Sequence, residues 1–248
     1  NRNIEEVDCH DRVKTVGNAA FQGCLSLRRL RMPGVEVFEA YVFHYCIALT
    51  DVECNKLEII GEHAFLDCES LTSINLPSAR IVEECAFSNC TALTKVNFGK
   101  ELELIEEEAF LGCPSLERIT IPLKDGMLIT DDIFTGCDNL KHVDLVEGEL
   151  HETIAALQLE EWRNDMNEEI DSINQILPTA SAGRWGRDEG EKAQALRTWI
   201  RSVLRKIIHY QAWHQRYLNE EIATALPPAL PRDIVMNNVL PFLELPSH

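Results

Sequence analysis

A short unit, Ala/Val/Ile-Phe-x-x-Cys-x-x-Leu, recurs six times along this 248-residue chain. The copies begin at Ala20-Phe21, Val42-Phe43, Ala64-Phe65, Ala86-Phe87, Ala109-Phe110 and Ile133-Phe134, and the phenylalanines fall 22, 22, 22, 23 and 24 residues apart. Periodicity on this scale restricts the chain to stacked-coil architectures. One coil cannot bury its own apolar side, whereas neighbouring coils bury a continuous core.

Each unit continues into a brief alternating stretch: Leu30-x-Met32, Val52-x-Cys54, Ile74-x-Leu76, Val96-x-Phe98, Ile119-x-Ile121 and Val143-x-Leu145. Period-two alternation over so few residues is that of a short, half-buried strand. Turns follow at Pro33-Gly34, Pro77-Ser78, Gly99-Lys100 and Pro122. An apolar residue stands five positions before each Phe, from Val16 to Ile129. The Ala-Phe-x-x-Cys segment is too short for a long helix, so it is expected to form one helical or 3₁₀ turn. The expected fold is α+β: a six-coil solenoid over 1–148 with a parallel sheet on one face, then a helical region over 149–248.

The full unit, x-x-Ile-x-x-x-Ala-Phe-x-x-Cys-x-x-Leu-x-x-Ile-x-Leu-Pro, resembles the BspA-like (Treponema-type) leucine-rich repeat, a family of bacteria and of unicellular eukaryotes such as algae. Five coils match it; the second departs, with Val42 for Ala and Cys54 for an aliphatic residue. The resemblance implies a curved solenoid used for protein recognition, without catalysis. Partners would meet the outward strand columns, Arg29, Asp51, Ser73, Lys95, Arg118, His142 and Arg31, Glu53, Asn75, Asn97, Thr120, Asp144.

Six of the nine cysteines (Cys24, Cys46, Cys68, Cys90, Cys113, Cys137) share one repeat slot. They are expected to stack as a buried ladder of small apolar side chains, and no Cys or His spacing suits zinc. Reduced thiols suit the cytoplasm, and no signal peptide or membrane-length apolar run is read in the sequence. A net charge of -18 disfavours nucleic acid. An acidic ridge, Glu62, Glu83-Glu84, Glu106-Glu107-Glu108 and Asp131-Asp132, precedes the phenylalanines and belongs to the architecture. Nucleotide-binding, hydrolase and metalloprotease motifs do not occur, so no enzyme, cofactor or metal is expected.

After Leu145 the apolar spacing changes to three and four (Leu159, Trp162, Met166, Ile170, Ile173, Leu177), the mark of a helix. A second helix is expected over about 188–226 and a short one after Pro231. Residues 149–191 hold 3 basic and 11 acidic residues, a net of -8, whereas 192–216 hold 6 basic and none acidic, a net of +6. Arg197, Arg201 and Arg205 repeat at i+4, which suggests a hairpin facing Glu161, Asp165 and Glu168 or Glu169. A sharper alternative makes 192–216, with Trp199 and Trp213, a target for a calmodulin-type protein or an anionic membrane. Two further roles for this region are self-association through 149–226 and capping of the solenoid end.

Overall fold

The computed structural model describes residues 3–123, 127–130, 132–146, 160–178 and 191–206. One series of strands comprises β1 (Glu6–Asp8), β3 (Arg29–Arg31), β5 (Asp51–Glu53), β7 (Ser73–Leu76), β9 (Lys95–Phe98), β11 (Arg118–Ile121) and β13 (His142–Leu145). A second series comprises β2 (Thr15–Val16), β4 (Val37–Phe38), β6 (Ile59–Ile60), β8 (Ile81–Val82), β10 (Leu104–Ile105) and β12 (Leu128–Ile129). All pairings are parallel, one strand per coil. The first series divides into β1-β3-β5 and β7-β9-β11-β13, and the break falls at the coil whose Cys54 replaces an aliphatic residue.

The expected register holds: Arg29 pairs with Asp51, and Ser73, Lys95, Arg118 and His142 follow one another across their sheet. Two features are additional. The apolar residues five before each Phe close a six-stranded sheet of two-residue strands, too short for any period to reveal. β1 also adds a strand ahead of the first recognised unit.

The Phe-flanking segment is not the regular 3₁₀ turn expected. Bonds of 3₁₀ spacing do form, as from Gln22 N–H to Ala19 O and Cys24 N–H to Phe21 O. They alternate with bonds to the next coil: Ala19 to Ala40, Phe21 to Val42 and Gly23 to His44, at 2.8–2.9 Å. Positive φ two residues after each Phe, and two before it in the first five units (67° at Gly23, 54° at Ala19), turns these N–H groups along the stack. The backbone donors of each coil thereby find acceptors in the next, which a closed helical turn would forgo.

Inside, Phe43, Phe65, Phe87 and Phe110 stack at centroid separations of 5.1–5.3 Å and within 22° of parallel. Each is fully buried, contributing about 1.5–3 kcal/mol by transfer and about 0.5–1.5 kcal/mol per favourable ring pair. Variation in coil length is confined to one corner. Four residues join β7 to β8, five join β9 to β10 and six join β11 to β12, while the Phe-to-Cys segment never varies.

Helix α1 (Glu160–Ile176) and helix α2, residues 191–206, close the C-terminal end. Ile173 and Leu177 of the first region, with Ala193, Leu196, Trp199, Ile200 and Val203 of the second, join the same apolar core as the coils. Polar side chains stand in for a further coil. Asn174 Oδ1 accepts the Val143 N–H at 2.9 Å, and Arg197 donates to Ile129 O at 2.9 Å. Lys192, only 3% exposed, donates to Cys137 O at 2.7 Å. Trp199 Nε1 donates to Glu169 O at 2.8 Å and ties α2 to α1.

Candidate functional site

The strand face is built by alternation: Leu30, Ile74, Val96, Ile119 and Val143 point into the core, so their neighbours on both sides point out. Both expected columns are therefore brought together on one surface, with unlike character along it. At the first coils, Arg29 reaches Glu6 at 2.9 Å and Asp51 at 3.3 Å. Arg31 lies 3.5 Å from Asp8 and 3.4 Å from Glu53. Each guanidinium is held between carboxylates of the coils before and after it. At the last coils Arg118 contacts Asp144 at 2.6 Å, and Thr120 donates to Asn97 Oδ1 at 3.1 Å. Between these engaged ends Ser73, Asn75 and Lys95 stand exposed, and His142 is exposed at the far edge. Exposed ion pairs contribute little stability, about 0–1 kcal/mol each, but they set the orientation of the charges a partner would meet.

Basic residues of the C-terminal region reach both the solenoid and the neighbouring helix. Arg197 donates to the solenoid carbonyl of Ile129, and Lys206 pairs with Glu169 across the two helices. Spacing alone could not show that the last coil competes for the arginine. Arg201 and Arg205 are exposed, whereas Trp199 and Ile200 are buried. The side chains of Glu161 and Asp165, and all of Trp213, lie outside the described residues. A groove of about 550 Å³ between α2 and the last coils is lined by Glu107, Asp132, Arg197 and Arg201 among others, two charges of each sign.

The cysteine ladder has a feature that composition does not disclose. Each thiol from Cys46 to Cys137 donates to the Phe carbonyl of the preceding coil, at 3.1–3.3 Å. Burial pushes the thiols of Cys46, Cys68, Cys90, Cys113 and Cys137 upward from their ordinary range, Cys46 to about 12, so none of these five is an activated nucleophile; Cys54, outside the ladder, is likewise raised to about 12. Among the described residues no three His, Cys, Asp or Glu side chains converge to hold a metal ion.

Within the acidic ridge, Glu83 and Glu106 hold the same slot as Glu39 of the second coil. Glu39, Glu83 and Glu106 accept backbone N–H groups of Asn18, Glu62 and Glu84 in the preceding coil, at 2.8–3.1 Å, and are structural. Beside them, Tyr41 and His63 stack 4.7 Å apart, an aromatic group the strand face lacks. These rings are legible in the sequence only once the coils are aligned slot by slot.

A family model described as "BspA type Leucine rich repeat region" matches the chain in six copies, over residues 1–80 and 58–158. Among solved structures, a leucine-rich-repeat protein of T. pallidum is 28% identical, with a TM-score of 0.53, covering 56% of this chain and 69% of that one. The pneumococcal vaccine antigen PcpA, at 18% identity and a TM-score of 0.51, shares the fold; the match covers 62% of this chain but only 39% of the antigen. No curated protein is significantly similar to the chain. No helix among the described residues is long and apolar enough to cross a membrane.

Proposed function

The chain belongs to the BspA-type leucine-rich-repeat family, and from that premise we propose that it is a non-catalytic scaffold binding a protein partner across its strand face. Leucine-rich-repeat proteins generally serve as interaction scaffolds, and a solenoid of this kind offers an extended surface. The observation that carries the reading is the in-register strand face. Its central residues Ser73, Asn75 and Lys95 are exposed between ends whose arginines are already held by carboxylates. Residues 149–248 would serve chiefly as the cap, and self-association through 149–226 would then be secondary. Nine free thiols suit the cytoplasm.

The test is affinity capture with the intact chain and with a Ser73→Arg/Asn75→Arg/Lys95→Glu variant, whose unfolding midpoint should match the parent. A partner retained by the parent and lost by the variant supports the proposal. Equal recovery by both removes the strand face from consideration. The alternative, in which 192–216 is bound by a calmodulin-type protein or an anionic membrane, is weakened by the burial of Trp199 and Ile200. They would have to leave the core first. Binding of the intact chain to calcium-loaded calmodulin or to phosphatidylserine vesicles would revive it.

A further inference from the structure

The turn face carries a group of rings that the core does not use. Tyr45 packs edge-on to His44 at 5.3 Å, His44 lies 5.8 Å from Tyr41, and Tyr41 stacks on His63 with planes 5° apart. The four rings form one continuous patch, separate from the stacked phenylalanines.

The repeat supplies an internal control for Tyr45. The slot two residues after Phe holds Gly23, Tyr45, Asp67, Asn89, Gly112 and Gly136, and φ is positive in all six. Glycine adopts that conformation without penalty, and Asp and Asn tolerate it, but a bulky aromatic residue does not. Tyr45 accepts it with a φ of 64° while half its surface stays in water, so core packing gives no compensation. A side chain held in a costly conformation and left exposed points to something outside the fold.

The chemistry around the patch is one-sided. From four residues before each Phe to two after it, the six coils contain ten Asp or Glu and no Lys or Arg. Glu62 faces Tyr41 and lies 3.0 Å from His63, while Asp67 lies 3.5 Å from His44. At the last coils this same face meets cations of the chain itself: Arg197 and Arg201 line a groove with Glu107 and Asp132. Coils three and four present carboxylates at the slot of Glu107, namely Glu62 and Glu84, beside the rings of coils two and three. Aromatic faces attract cations, and a single-sign surface steers them inward.

The geometry points to a second docking surface, in which the rings of Tyr41, His44, Tyr45 and His63 and their flanking carboxylates receive a Lys/Arg-bearing segment of a protein partner. The intact chain is titrated against a fluorescent alternating Arg-Ser peptide, with a Glu-Ser peptide as the control, at physiological salt. Tyr45→Gly restores the residue that three other coils use, so the variant should melt at or above the parent's temperature. It should bind the Arg-Ser peptide roughly tenfold more weakly. Equal affinity in Y45G would reduce the patch to a bystander of a merely acidic surface. The inference is also overturned by equal binding of the Glu-Ser peptide, or by no saturable binding up to about 1 mM. Self-association of the parent that Y45G abolishes would identify a second copy as occupant and overturn it likewise.

Discussion

Replacing Cys90 separates two reasons for a cysteine ladder, the size of the side chain and its S–H group. Cys90 is fully buried, and its thiol donates to Phe65 O at 3.2 Å. That carbonyl also accepts the Cys68 N–H at 3.1 Å, so loss of the thiol does not orphan it. Cys90→Ala therefore loses one buried group of about methylene size, about 0.8 kcal/mol. A residual void of roughly 20 Å³ adds about 0.5 kcal/mol, and the weak S–H bond adds about 0.5 kcal/mol. The expected cost is about 2 kcal/mol. Cys90→Ser retains a donor, but its oxygen sits on a shorter bond and needs an acceptor within about 3.0 Å. The hydroxyl would be buried without a proper partner, adding about 1–3 kcal/mol, so serine should be worse than alanine. Cys24, in the first unit, has no earlier Phe to receive its thiol. Cys24→Ala should then cost about 1 kcal/mol. Urea unfolding of the intact chain, followed by circular dichroism, orders the three variants. Serine tolerated as well as alanine would mean that hydrogen bonding, not apolar volume, selects cysteine here, and the reasoning would fail.

Phe87→Ala, which removes a ring stacked on both sides, should cost about 3–5 kcal/mol. Phe21→Ala, stacked only on Phe43 and partly exposed, should cost about half as much by the same urea assay; equal losses would deny the stack its cumulative effect. Asn174→Ala leaves the Val143 N–H without its acceptor and should lower stability by about 1–2 kcal/mol. Hydrogen exchange should then quicken at β13 before it does at β7. Thiols raised by burial give the stability a pH dependence of definite sign. Below the unfolded value of 9.0 both states hold their protons; above it only the unfolded chain loses them. Stability should therefore be intact below pH 9 and fall between 9 and about 12, by up to about 1.4 kcal/mol per pH unit for each thiol so raised. A melting temperature equal at pH 8 and pH 10 would contradict this.

The frame of the solenoid was legible because Phe-x-x-Cys marks one point in every coil, which then fixes the partner of each strand residue. Arg29 beside Asp51 follows from counting alone. The second sheet was not, since two residues such as Ile59 and Ile60 show no period. The left-handed turns were hidden because Ala19, Tyr41, His63, Cys85 and Glu108 occupy a positive-φ slot with no glycine to announce it. Apolar spacing located Ile173, Leu196 and Val203 on helical faces, but not the coil that those faces cover. For Arg197, an i+4 stripe suggested a carboxylate partner but could not show the bond that its side chain makes to an unclosed sheet edge. The strand columns could be listed from the sequence; which of their members are already held by neighbours depends on side-chain reach across coils.

The corner between the long and short strands, where four, five or six residues make the same connection, has a consequence for how such a chain can change. An insertion at the Phe-Cys segment would break bonds to both neighbouring coils at once. At that corner the cross-coil bonds of Arg80 and Glu103 form on connections of four and five residues alike. Extra loops, whether acquired by drift or grafted by design, should accumulate along this single edge, leaving the stack beneath them in phase.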